Sequence, residues 1–387
     1  MLYSFRAATL VLAAAGAVAA TAPAARAQKI PAELTTKDYA VRVETVVPGG
    51  QLKDPWAIAF VDADTALITE KAGRLRWLRN GKLSDPIAGT PQVVDNGQGG
   101  LLDVSLDPEY AKEPWVYLGY SHKLDAGTGR NPPAMTRIVR GKVVDNRWTD
   151  QQVLFEARPE HYTNGVVHYG NRIVFDKENR LYFSIGERGQ KEHAQDLSRP
   201  NGKVHRINRD GTIPADNPFV GRPDVYESIY SYGNRNAQGL ALHPQTNQLW
   251  ETEHGPRGGD ELNLILPGRN YGWPVITYGI NYDGSPITDK RSAPGMEPPA
   301  RHWTPSPAFC GLDAYTGTQF PKWQNHLLLG ALAGQELRRV QVDGDKVVDE
   351  EIILKGAGRI RDVQVSPDGS IYVALNGPHA IIRLTPR

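Results

Sequence analysis

Cysteine is nearly missing from this 387-residue chain, where Cys310 stands alone. A single thiol excludes an internal disulfide, a thiolate zinc site and a CxxC redox pair, so Cys310 reads as a small buried residue. A charge excess is missing too. The 44 Lys and Arg nearly balance 43 Asp and Glu, with no long like-charge block, so nothing argues for nucleic acid or an anionic membrane surface as a partner. Past the first 27 residues no apolar run reaches the roughly eighteen residues of a spanning helix. HExxH, GxSxG, a Walker loop and a GxGxxG after a strand are all absent, which removes the enzyme classes they mark. Without CxxCH, the chain carries no c-type haem of its own.

What is present begins at the N-terminus. Arg6 precedes an Ala/Leu/Val run from Ala7 to Ala20, and Ala25-Arg26-Ala27 stands ahead of Gln28, the pattern of a secretory signal peptide. The run is short and Ala-rich for a retained anchor. The sequence therefore predicts cleavage after Ala27, a mature chain of residues 28–387 in the periplasm or outside the cell, and no stable membrane insertion. Losing Arg6 and Arg26 from the 44 basic residues leaves 42 against 43 acidic, a formal charge of −1.

Thirty-nine Gly and 29 Pro imply many turns between short strands. One unit recurs: an alternating apolar strand, a Pro/Asp/Gly turn and a return strand. Copies start at Pro55, Gly100, Asn171, Gln238, Gly311 and Arg361. Six repeats, each of about four short strands, predict an all-β fold, a six-bladed β-propeller. Ala40 to Val47 (AVRVETVV) precedes the first copy and is expected to pair with the last blade, closing the ring and removing an open edge. Two β-sandwich domains are the competing reading, but no linker marks a boundary. Irregular stretches around Asp125–Pro133, Gln190–Pro200 and Tyr278–Pro299 are expected as loops over the mouth.

Polar clusters fall at strand ends, where a propeller aims them at its axis. Gln98 sits among glycines in DNGQGG, presented for close approach to a ligand, or as a turn residue. His168 precedes the third copy, and Glu187 follows at the end of its return strand, so a hairpin can pair them as an oriented general base. A lone histidine is otherwise structural. Arg235 and Asn236 set a planar cation beside an amide, suited to a planar anion. In EHGPRGGDELN the Gly255-Pro256 and Gly258-Gly259 pairs force irregular backbone whose carbonyls, beside Asp260 and Glu261, are hard-oxygen donors of the kind Ca²⁺ takes, unless the segment is only a structured turn. Arg359 and Arg361 lie two apart on one strand, hence on one face, where an anion with several carboxylates relieves their repulsion. Together these point to a quinone cofactor, a hard cation and a histidine base at the mouth.

The motifs GQGGLL, HYGNRIVF, SYGNRNAQGLA, EHGPRGGDELN, NYGWP, YGINYDG and RIRDVQVSPDG occur in order over almost the whole mature chain, which resembles the glucose/sorbosone dehydrogenase family, and within it the soluble pyrroloquinoline-quinone (PQQ) dependent aldose sugar dehydrogenases. The resemblance implies oxidation of an aldose at C1 to the lactone, with PQQ and Ca²⁺ as cofactors and an external electron acceptor. It makes His168 the general base, oriented by Glu187, with Arg235 assisting at the reacting centre. Gln98, Arg235, Asn236, Tyr282, Arg359, Arg361 and the tripeptide Ala331-Leu332-Ala333 match cofactor-contacting positions. Gly255 and Pro256 match backbone ligands of the Ca²⁺ at the cofactor, and Glu261 and Tyr271 match a second Ca²⁺ site. Relatives commonly carry a lysine where this chain has Ala333, a loss of about 1–3 kcal/mol of contact if nothing replaces it. Two further readings of a six-bladed scaffold are a Ca²⁺-dependent lactonase-like hydrolase, which needs several inward carboxylates, and a non-catalytic ligand-binding propeller.

Overall fold

The last repeat shows how the unit forms. Arg359–Val365 carries alternating apolar residues into the turn at Asp368-Gly369 and returns as Ile371–Asn376. Gly369, at φ +86°, takes the left-handed conformation the turn requires. The Asp368 carboxylate accepts the Ser370 amide at 2.8 Å, fixing the reversal.

A computed structural model describes residues 29–124, 129 and 131–387. The expected signal peptide, and residues 125–128 and 130 of the loop at Asp125–Pro133, lie outside the described residues. Six antiparallel sheets follow one another along the chain, over residues 55–83, 101–155, 173–232, 237–303 and 309–355, and finally 359–386 together with 33–47. They are the six blades of a β-propeller. Ala40–Val47 pairs antiparallel with Ala380–Pro386, Val43 opposite Leu384, so the closing strand stands where the alternation of AVRVETVV placed it, and Glu33–Thr35 adds an outer fifth strand.

The first strand of each blade lies innermost, and neighbouring inner strands touch all the way round the ring. Each of the six hydrophobic clusters lies between two adjacent blades. A single blade thus has two apolar faces and no core of its own, and the ring is the smallest unit that buries them. At the neck the inner strands approach so closely that a Cβ on Gly239 would lie 2.3 Å from the Cys310 carbonyl, and one on Gly311 2.6 Å from Asp362 Cα. Cys310 is fully buried there. No described helix is long and apolar enough to cross a membrane.

Candidate active site

Inner strands begin at one mouth of the ring, and their first residues surround a cavity of about 220 Å³. Gln98, Gln238, His254, Leu332, Arg359 and Arg361 line it, with Trp56 and Lys71 from the first blade. No carboxylate is among the lining residues. Arg361 reaches Gln238 Oε1 at 3.1 Å, Asn376 Oδ1 at 3.2 Å and the Cys310 sulfur at 3.3 Å. Arg235 donates to the carbonyls of His254 and Gly255 at 2.9 and 2.8 Å. Among the described residues none of Arg235, Arg359 and Arg361 forms a salt bridge with a carboxylate. Burial, then repulsion from Arg361, holds the Arg359 guanidinium below its ordinary value. By charge alone the cavity suits an anion.

His168 stands in the left-handed region at φ +53°, a conformation costly for a non-glycine residue and held here from three sides. Its amide donates to Gln98 Oε1 at 2.8 Å, its Nδ1 lies 2.9 Å from Glu187 Oε1, and a Cβ on Gly186 would collide with its carbonyl at 2.4 Å. Glu187 is fixed in turn, its amide donating to the Arg235 carbonyl at 2.9 Å and its Oε2 accepting the Gly189 amide. With the carboxylate accepting Nδ1–H, Nε2 keeps a lone pair for a proton. Burial pushes the His168 imidazole down and outweighs the opposing bond to Glu187, so it is a neutral acceptor near neutral pH. Arg188, buried without a carboxylate partner among the described residues, lies over the Tyr169 ring at 3.3 Å and donates to the carbonyls of Val167 and Gly165. Burial lowers it to about 10. It braces the loop that carries His168.

The floor is ionic. Arg172 meets Asp103 at 2.9 Å and Asp362 at 3.0 Å, lies over Trp56 at 4.3 Å, and donates at 2.9 Å to the carbonyls of Gln238 and Arg361. Below it a second cavity of about 440 Å³ opens to the opposite face.

Beside the mouth cavity Gly255, Glu253, Glu261 and Tyr271 line a void of about 10 Å³, the size of one water or ion. Asn263 Nδ2 donates to Glu251, Glu253 and Glu261 at 3.0, 3.4 and 3.3 Å, and Glu251 Oε1 and Asn263 Oδ1 are buried without a partner among the described residues. Burial, then repulsion from Glu253, pushes Glu251 and Glu261 well up, and burial pushes Glu253 to about 7. Among the described residues no three or more His, Cys, Asp or Glu side chains are arranged to hold a metal.

The fold brings most of the sequence candidates together. Gln98, Arg359, Arg361 and Leu332 line the cavity, and His168, Glu187, Arg235 and Asn236 bond into its rim; Asn236 Oδ1 accepts the Gly170 amide at 3.1 Å, leaving its buried Nδ2 without a partner among the described residues. Ala331 is buried in its strand, while Ala333 is exposed. Tyr282 is 73% exposed and outside the cavity lining. Pro256 packs on Gly279 instead of lining the small void. The Tyr271 hydroxyl serves backbone, donating to the Leu264 carbonyl at 2.5 Å and accepting the Leu266 amide at 2.8 Å. Asp260 likewise accepts the amides of Gly255 and Phe309, both at 2.9 Å. Sequence reasoning passed over Trp56, Lys71, Gln238, Glu253 and His254. Gln238 stands two residues beyond Asn236, and His254 adjoins Gly255, so both carried a signal.

A sequence model described as Glucose / Sorbosone dehydrogenase matches residues 52–383. The chain belongs to that family. Aldose sugar dehydrogenase YliI of Escherichia coli K12 is 41% identical over 345 residues, 87% of this chain and 91% of that protein. A crystal structure of the soluble E. coli aldose sugar dehydrogenase in its apo form covers 90% of this chain and 100% of its own at TM-score 0.83 and 40% identity. The PQQ-bound aldose sugar dehydrogenase of Streptomyces coelicolor covers 92% and 99%, at TM-score 0.71 and 28% identity. Within the glucose/sorbosone dehydrogenase family, the chain is thus similar to aldose dehydrogenases over nearly all its length.

Proposed function

We propose that this protein oxidises aldose sugars at C1 to lactones, holding PQQ in the mouth cavity with Ca²⁺ beside it. The carrying observation is the cation set Arg235, Arg359 and Arg361, free of salt bridges among the described residues, next to the His168–Glu187 pair. A ligand with several carboxylates satisfies charges the protein leaves open. The PQQ-bound S. coelicolor relative supports that identity.

When bound, PQQ supplies an electrophilic quinone carbon as the hydride acceptor and Ca²⁺ a Lewis acid that polarises its carbonyl. The chain's own part is positional and protonic. His168 Nε2 takes the C1 hydroxyl proton, and Glu187 holds the imidazole and stabilises its charged form. Arg359 and Arg361 hold ligand carboxylates. Arg235, anchored by the His254 and Gly255 carbonyls, stabilises developing negative charge, and the unpartnered Asn236 Nδ2 is a donor for the same group. For Ca²⁺ the Gly255 carbonyl, with Pro256 next in the chain, would ligate at the cofactor, and Glu261 and Tyr271 would ligate at the second site, where the void and the unpartnered oxygens suit a hard cation. Electrons leave to an external acceptor, and the leader-like pattern of the first 27 residues supports chemistry in the periplasm or outside the cell.

The test is reconstitution of the protein with PQQ and Ca²⁺, followed by absorbance before and after glucose and an artificial acceptor. Saturable binding with sugar-dependent bleaching is the expected result. Absence of PQQ binding overturns the reading.

A further inference from the structure

Among the residues lining the mouth cavity, the cations are Arg359 and Arg361 from the sixth blade and Lys71 from the first. Lys71 directly follows the strand Thr65–Glu70, and its backbone is pinned. Its amide donates to the Asp54 carbonyl at 3.0 Å and its own carbonyl accepts the Leu101 amide at 2.8 Å. The approach is so close that a Cβ on Gly100 would lie 2.2 Å from that carbonyl. Its ammonium bonds to Asp95 Oδ1, a carboxylate on the loop that also carries Gln98. The side chains are 24% and 44% exposed, and an ion pair that open to water is worth little, about 0–1 kcal/mol.

Lys71 therefore differs from both neighbouring kinds of cation. Arg172 is locked by two buried carboxylates, and the two arginines have no carboxylate partner among the described residues. The lysine has a partner it can exchange at small cost. Its stem is long and rotatable and its charge compact, which suits reaching one carboxylate more than setting a planar geometry. Ala333, exposed near the cavity, supplies no charge.

We propose that Lys71 is a further cofactor-binding residue, which leaves Asp95 to bind a carboxylate of the anionic ligand from the first blade, next to the sixth blade that carries Arg359 and Arg361. Asp95 is its holding partner while the cavity is open. This rests on the dehydrogenase reading and extends it to a residue from another blade.

The test is PQQ binding, followed by quenching of tryptophan fluorescence in the presence of Ca²⁺, for wild type, Lys71→Met, Asp95→Asn and Arg361→Ala, each checked for a cooperative thermal unfolding transition. Lys71→Met is expected to raise Kd about 10- to 100-fold. Asp95→Asn keeps the lysine and removes its competitor, so Kd is expected to fall about two- to fivefold. Lys71→Met binding within twofold of wild type while Arg361→Ala loses affinity overturns this inference and leaves the dehydrogenase reading standing. Weaker binding by Asp95→Asn overturns it as well, and does so even if Lys71→Met does not fold. Wild type that fails to bind PQQ overturns the dehydrogenase reading itself.

Discussion

Arg172 and Arg361 are joined by a hydrogen bond, guanidinium to carbonyl at 2.9 Å, yet they stand in opposite surroundings. Arg172, in the neck, is neutralised by Asp103 and Asp362, which hold it charged against the effect of burial. The Arg361 side chain, one layer up, hydrogen-bonds among the described residues to the neutral groups of Gln238, Cys310 and Asn376. A buried charge with its partner in place is architecture. A charge at a cavity wall without one is a site waiting for its counter-charge, since isolated charge in a low-dielectric setting is costly. The neck thus serves as a rigid base for an electrostatically incomplete mouth.

Four changes break or sharpen this contrast. The largest effect is expected from His168→Ala, which removes the proton acceptor: turnover of the reconstituted protein should fall about 10²–10⁴-fold with PQQ Kd little changed, read by steady-state kinetics beside a binding titration. Next is Arg172→Met, which strands two buried carboxylates and should cost about 3–5 kcal/mol in denaturant unfolding. Arg361→Ala is expected to do the reverse. Its unfolding free energy should hold or rise, because an uncompensated charge is gone, while PQQ affinity drops about 10- to 100-fold. The smallest effect is on pH. His168 accepts a proton only when neutral and lies below its ordinary value of 6.5, so kcat/KM should fall on acidification with a midpoint under 6.5 and stay flat above it. An acid limb centred above 6.5 would place the base elsewhere.

The architecture was legible because blades repeat: the alternation that marks Arg359–Val365 recurs six times, and the closing role of Ala40–Val47 follows from an unpaired edge at the end of such a ring. His168 and Glu187 were legible because a hairpin fixes which residues face each other. Lys71 was not, since it follows a strand like any solvated lysine and enters the cavity only through contact between the first two blades. Nor was the neck triad of Arg172, Asp103 and Asp362, whose members come from three different blades, two from inner strands and Arg172 from the residue just before one. Local period reveals which face a side chain takes, but not which distant strand that face will meet. Whether a backbone segment can ligate a cation is hidden for the same reason, as it depends on carbonyl directions that side-chain identity does not encode.

The pairing of Val43 with Leu384 has a bearing on how the molecule is made. The clasp that shuts the ring joins segments some 340 positions apart, so it is among the least local contacts in the chain and costs the most entropy to form. Until the last strand is available, five blades present an unsatisfied strand edge. Closure therefore carries a large entropic cost, and the wall of the mouth where Lys71 of the first blade meets Arg359 and Arg361 of the sixth exists only where the two ends of the polypeptide come together.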